Sequence, residues 1–155
     1  MKKIMLMVFC ISFLVGCVGA KETVYEFDGI SMSPTIKDEQ KVLVDKGYYK
    51  ENEINRDDIV LFYLEENEHF KRVIGLPNEL IQIQDGTIYI DSKPLESEYS
   101  FTDVWEGEIP IDGIQLKNDE YFVIGDSLVP LTSKDSRLVG PIAKEDILGK
   151  VVEIK

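Results

Sequence analysis

The chain has 155 residues, room for one domain with a packed core, and 44% of them are hydrophobic, an ordinary share for a globular chain. Its formal net charge of -12 would repel a phosphate backbone, which argues against nucleic-acid binding. Both cysteines, Cys10 and Cys17, lie near the N-terminus, so no disulfide framework and no zinc site can be built from them.

Met1-Lys2-Lys3 is followed by an apolar run from Ile4 to Ala20, a positive start and a hydrophobic segment of targeting type. Two readings fit. At 17 residues the run is at the short end for a membrane-spanning helix, with the two lysines kept in the cytoplasm. Alternatively, Leu14-Val15-Gly16-Cys17 resembles a bacterial lipobox, in which the segment is removed and Cys17 becomes the lipid-bearing N-terminus. Either outcome tethers the rest of the chain to the membrane on its outer side. The sequence therefore divides into a segment 1–20 and a domain 21–155.

Within the domain, alternation from Glu22 through Val24, Tyr25, Glu26 and Phe27 predicts a strand leading to a turn at Ser31. Lys41–Asp45 is a second strand, and the polar stretch Tyr48–Asn55 a loop. Asp58–Leu64 is nearly all apolar, rich in β-branched and aromatic residues, and too short for a stable helix, so it reads as a buried strand. Glu65-Glu66-Asn67-Glu68 is then an acidic hairpin loop. His69–Ile74 returns as a strand, with Lys71 and Val73 on one face and Phe70, Arg72 and Ile74 on the other.

Leu80–Gln84 and Thr87–Asp91, joined by Asp85-Gly86, form a strong hairpin signal. The stretch Ser97–Gly113 holds the only tryptophan, Trp105, shows no period and is expected to be a surface excursion with a small core of its own. Tyr121–Ile124 and Ile147–Ile154 are further strands, the last with a bulge at Gly149. Many short strands and little amphipathic helix give a mainly β domain of folded antiparallel sheets.

The chemistry-bearing residues begin with Gly29-Ile30-Ser31-Met32-Ser33-Pro34-Thr35-Ile36. A serine hydroxyl needs a base within hydrogen-bond reach to act as a nucleophile. His69 is one possible base. Lys71, among apolar neighbours in Phe70-Lys71-Arg72-Val73-Ile74-Gly75-Leu76-Pro77, is a better one, since lost hydration favours the neutral amine. His69 reads as a solvated strand-end side chain without a catalytic role. Taken alone, Ser31 would be a turn serine and Lys71 a solvated strand lysine; their occurrence in one ordered set of motifs reverses that reading.

Four blocks in order, Ser31-Met32-x-Pro34-Thr35, Arg56-Asp57-Asp58-Ile59-Val60, Phe70 to Pro77, and Gly125-Asp126 with Ser133-Lys134-Asp135-Ser136-Arg137 and Gly140, resemble the type I signal peptidases. These are membrane-bound Ser-Lys proteases that remove signal peptides from exported proteins. The resemblance runs from about Val24 to the end of the sequence and includes the hairpin with Lys93-Pro94-Leu95. It implies a mainly β catalytic core, Ser31 as nucleophile, Lys71 as general base and the Ser31 backbone N–H as oxyanion donor. It also implies that Ser133 hydrogen-bonds the lysine and that Asp126, Asp135, Arg137 and Arg72 brace the site, with Arg72 a partner of Asp126. Signal peptides of exported precursors and the membrane are the expected partners, and no cofactor or metal is expected. Small pockets lined by Phe27, Ile30, Ile36 and Phe70 would favour small residues before the cut.

Departures from the family pattern are visible. Gly29 stands where some relatives carry a serine that adds a second oxyanion donor. Asp57 and Asn78 replace glycines, mild changes if those glycines served positive φ. Ser127-Leu128-Val129-Pro130-Leu131-Thr132 is longer and more apolar than the usual spacer. That last departure keeps an alternative open, an inactive tethered protein that binds precursors without cutting them. Self-cleaving Ser-Lys repressors share the Ser-Met and lysine-strand logic, but they carry a DNA-binding domain and no export segment.

Overall fold

Strands form where β-branched and aromatic residues run together and stop at acidic or glycine-containing turns. The structure, a computed structural model, describes residues 22–127 and 129–155. Cys17 and the apolar run lie outside them. In chain order the strands are β1 (Glu22–Glu26), β2 (Lys41–Asp45), β3 (Ile59–Leu64), β4 (Asn67–Gly75), β5 (Leu80–Gln84), β6 (Thr87–Ile90), β7 (Lys93–Pro94), β8 (Ile114–Gln115), β9 (Glu120–Ile124), β10 (Ile142–Ala143) and β11 (Ile147–Ile154). Among the described residues, helical structure is confined to the single turn α1 (Ser136–Val139) and 3₁₀ turns at Tyr48–Lys50 and Lys144–Asp146. None of these is long and apolar enough to cross a membrane.

Seven strands make one antiparallel sheet in the order β1-β2-β11-β3-β4-β9-β10, and four make a second in the order β7-β6-β5-β8. Alternation along β3 sends Ile59 and Leu61 into a cluster with Phe27, Met32, Ile36, Val42, Val44, Phe70 and Val151. Val60 and Phe62 point the other way, onto Ile54, Val73, Tyr121, Val123 and Ile142. Both faces of the strand are covered, which is why its sequence reads as a continuous apolar run. A third cluster, with Ile74, Phe122 and Ile124 from the large sheet and Ile81, Ile83 and Ile88 from the small one, joins the sheets. Each such buried side chain contributes roughly 1.5–3 kcal/mol over its exposed state.

The mainly β reading holds, and three of its details change. The β3–β4 turn is only Glu65-Glu66, both with positive φ (48° and 66°), so Asn67 and Glu68 belong to β4. A two-residue turn with positive φ at both positions matches the twist of the flanking strands without needing glycine. The 97–113 excursion has no core of its own: Val104, Phe101 and Ile109 pack into the cluster that joins the sheets, and Trp105 is half-buried. The 48–55 loop opens with a 3₁₀ turn. The expected register shift at Gly149 is present where β11 pairs with β3.

Candidate active site

Ser31 sits in the connection between the antiparallel neighbours β1 and β2. The two ends of this segment are tied by Phe27 N–H to the Gln40 carbonyl (2.9 Å) and Glu39 N–H to the Phe27 carbonyl (2.8 Å). Inside it, Ser33 N–H donates to the Ile30 carbonyl (3.0 Å) and Ile36 N–H to the Met32 carbonyl (2.9 Å). Met32 and Ile36 are completely buried and pin the turn to the sheet, while Ile30 projects outward with half its surface exposed. Gly29, at φ 95°, donates its N–H to Asp38 Oδ1 at 2.7 Å. The N–H of Ser31 makes no hydrogen bond among the described residues.

Opposite the turn, β4 delivers Lys71, which is only 2% exposed. Its Nζ lies 2.9 Å from Ser31 Oγ and 2.8 Å from the Phe70 carbonyl oxygen. Burial lowers its pKa to about 8, with Asp135 and Asp126 pulling back toward the charged form and Arg137 adding to the depression. A large fraction of neutral amine at mildly alkaline pH follows.

The next residue, Arg72, faces the other way. Its Nε and Nη2 fork the carboxylate of Asp126 at 2.9 and 2.6 Å, and Nη1 donates to the Asp57 carbonyl at 2.9 Å. A second fork joins Arg137 Nε and Nη2 to Asp135 at 2.9 and 2.7 Å. All four side chains are buried, unlike surface ion pairs, so removing one partner would strand a charge. The segment after β9 is stitched to the Ser31 turn by Ser127 N–H to the Ser31 carbonyl at 3.1 Å. Gly125 makes this approach possible: a Cβ there would collide with the Ser31 carbonyl and the Ser133 hydroxyl.

Ser133 is buried beside this junction, but its hydroxyl donates to Asp135 Oδ2 at 2.6 Å, and no hydrogen bond to Lys71 is present among the described residues. The expected Ser133–Lys71 contact is thereby corrected. The Ser133 proton goes to the carboxylate two residues away, and the Lys71 amine is directed instead to the Ser31 hydroxyl and the Phe70 carbonyl. The lining expectation also changes. Phe27 and Phe70 line the cleft next to Ser31 and Lys71, together with Tyr25, Glu26, Asp28, Glu68 and His69. Ile30 and Ile36 do not, the first because it points to solvent and the second because it is sealed in the core.

His69 lines the cleft with its ring centroid 5.8 Å from that of Phe62. Burial and the nearby Lys71 lower its pKa, favouring the neutral imidazole. The two replaced glycines are at positive φ, Asp57 at 71° and Asn78 at 69°. Sequence reasoning missed Tyr99, which lies against the Arg72–Asp126 pair. Its aperiodic segment carries no signal that would have found it.

A family profile described as signal peptidase, peptidase S26, matches residues 1–154. The chain belongs to this family. Signal peptidase IB of Staphylococcus aureus (strain COL) is 31% identical over 159 residues, covering 92% of this chain and 81% of the relative. Signal peptidase I V of Bacillus subtilis (strain 168) is 33% identical over 139 residues, covering 82% of each. A crystal structure of a signal peptidase I from Enterococcus faecalis V583 superposes with a TM-score of 0.53 at 26% identity, over 65% of this chain and 98% of that one. The signal peptidase family thus rests on a match over residues 1–154, and the mainly β fold on a superposition covering 65% of the chain, and not on isolated motifs.

Proposed function

We propose that this protein is a membrane-tethered serine endopeptidase that removes signal peptides from exported precursors, with Ser31 as nucleophile and Lys71 as general base. The observation that carries this reading is a buried amine of lowered pKa, 2.9 Å from a serine hydroxyl in an open cleft. Neutral Lys71 takes the Ser31 proton as Oγ attacks the scissile carbonyl, and the negative oxygen that develops is received by the Ser31 N–H. Collapse expels the new N-terminus of the exported protein, protonated by Lys71. The ester left on Ser31 is hydrolysed by a water that gives its proton to the same amine.

Residues 67–71 of β4 pair with β3 on one side, while pairing with β9 begins only at Arg72. That leaves an open strand edge beside the cleft, to which an extended precursor segment can add. The edge-to-face Phe27–Phe70 pair (5.9 Å between centroids) makes a stiff wall that suits small residues. Segment 1–20, retained as a span or replaced by lipid on Cys17, supplies the tether. The membrane is then the second partner, and the 21–155 domain works on its outer face.

The test is cleavage of a labelled exported precursor by the membrane-extracted protein, beside its Ser31→Ala variant. Cleavage lost with Ser31 supports the reading. Equal cleavage by both proteins sinks it, and tight precursor binding by a wild-type protein that never cuts favours the precursor-binding alternative.

A further inference from the structure

The 97–113 excursion touches both buried ion pairs that flank the cleft. Its first anchor starts at Asp57, whose carboxylate accepts hydrogen bonds from the Ser97 hydroxyl and from Glu98 N–H (3.0 Å). Tyr99 N–H then donates to Ser97 Oγ at 3.0 Å. This sets the Tyr99 ring with its centroid 4.7 Å from the Arg72 guanidinium carbon and edge-to-face with Phe101 at 4.8 Å. The Tyr99 hydroxyl donates to the backbone carbonyl of Asp126 at 3.1 Å. The second anchor is Glu108 N–H to the Arg137 carbonyl at 2.8 Å, next to Gly107, where a Cβ would strike that carbonyl.

We propose that Tyr99 is a positioning residue for the nucleophile, acting through Arg72 and the 125–127 segment. The ring screens the Arg72–Asp126 fork from water, and a cation over an aromatic face gains further when desolvated. The hydroxyl fixes the carbonyl of the residue just before Ser127, whose N–H holds the Ser31 carbonyl. Among the described residues Tyr99 does not line the cleft beside Ser31 and Lys71, and its contacts run instead to Arg72 and the Asp126 carbonyl. Asp57, in place of a glycine, is the post from which this arm is hung.

This inference rests on the Ser31 and Lys71 reading, so the experiment carries Ser31→Ala as a control: cleavage that survives it overturns that reading, whatever Tyr99 does. With Ser31-dependent cleavage in hand, kcat and KM are measured for full-length Tyr99→Phe and Tyr99→Leu. Tyr99→Phe keeps the ring and loses only the hydroxyl bond, so kcat should fall about two- to tenfold, the value of one hydrogen bond. Tyr99→Leu loses both contacts and should fall further, with KM within about twofold of wild type in both because uniform binding is untouched. Thermal unfolding is followed in parallel, and a kcat loss equal to the unfolded fraction would overturn the proposal. So would a raised KM at unchanged kcat, which would make Tyr99 a precursor contact, and so would an unchanged kcat in Tyr99→Leu.

Discussion

Lys71 and Arg72 are neighbours on β4 and both are buried, yet their surroundings differ. Among the described residues Lys71 enters no ion pair; its nitrogen meets only a hydroxyl and a carbonyl oxygen. Arg72 is held by a carboxylate, a carbonyl and an aromatic face. Burial therefore pushes the lysine toward neutrality, while the guanidinium is matched by the buried carboxylate of Asp126. One face of the strand holds an amine of lowered pKa beside a hydroxyl, and the other an ion-paired guanidinium. The difference lies in the nearest acceptor and not in depth.

The contrast can be broken most directly through activity. Ser31→Ala and Lys71→Ala should each lower kcat/KM by about a thousandfold or more, and the double variant should be no worse, because the two groups act as a unit. Near-wild-type cleavage by Lys71→Ala would move the base elsewhere, with His69 the first suspect. On the brace side, Asp126→Asn leaves Arg72 buried without a counter-charge and should cost about 3–5 kcal/mol in urea unfolding. A loss below about 1 kcal/mol would mean water reaches the guanidinium and the brace is no brace.

Lys71→Met tests the other half with the opposite sign. The folded pKa is about 8, and the unfolded one is about 10.4. Between them the unfolded chain binds more protons, so wild-type stability rises with pH across that window. The penalty is absent above the unfolded pKa, grows as pH falls and is constant below about 8. The methionine variant should thus be inactive yet about 1–3 kcal/mol more stable at pH 7, with the advantage closing toward pH ~10.4. Wild-type kcat/KM should rise with pH through a midpoint near 8. A profile flat from pH 6 to 10 would show that Lys71 is not the titrating base. The same substitution at Lys46, whose ion pair with Glu68 spans 3.7 Å near the surface, should change stability by less than about 0.5 kcal/mol.

What could be read from the sequence follows from range. Strands were legible because alternation is local, and the Asp85-Gly86 hairpin announces itself in two residues. Ser31 and Lys71 were legible as motifs; that they meet is a property of β1, β2 and β4 folding together. Ser133 was placed against the lysine because its motif says so, and only the packed structure lets Asp135 claim its proton. Ile36 looked like pocket lining because it follows Ser31 closely, yet its turn carries it into the core. β8, β10 and α1, two to four residues each, are too short to have a period.

The strand order has a consequence in time. β2, which carries the chain away from Ser31, does not pair with β3; β11 lies between them in the sheet. By strand pairing, the half of the sheet bearing the hydroxyl therefore joins the half bearing the amine through β11, which follows both in the sequence. Synthesis runs from the N-terminus, and pairings of such long sequence separation form late. A sheet built in this order is complete, with Ser31 and Lys71 in their final places, only once β11 is seated.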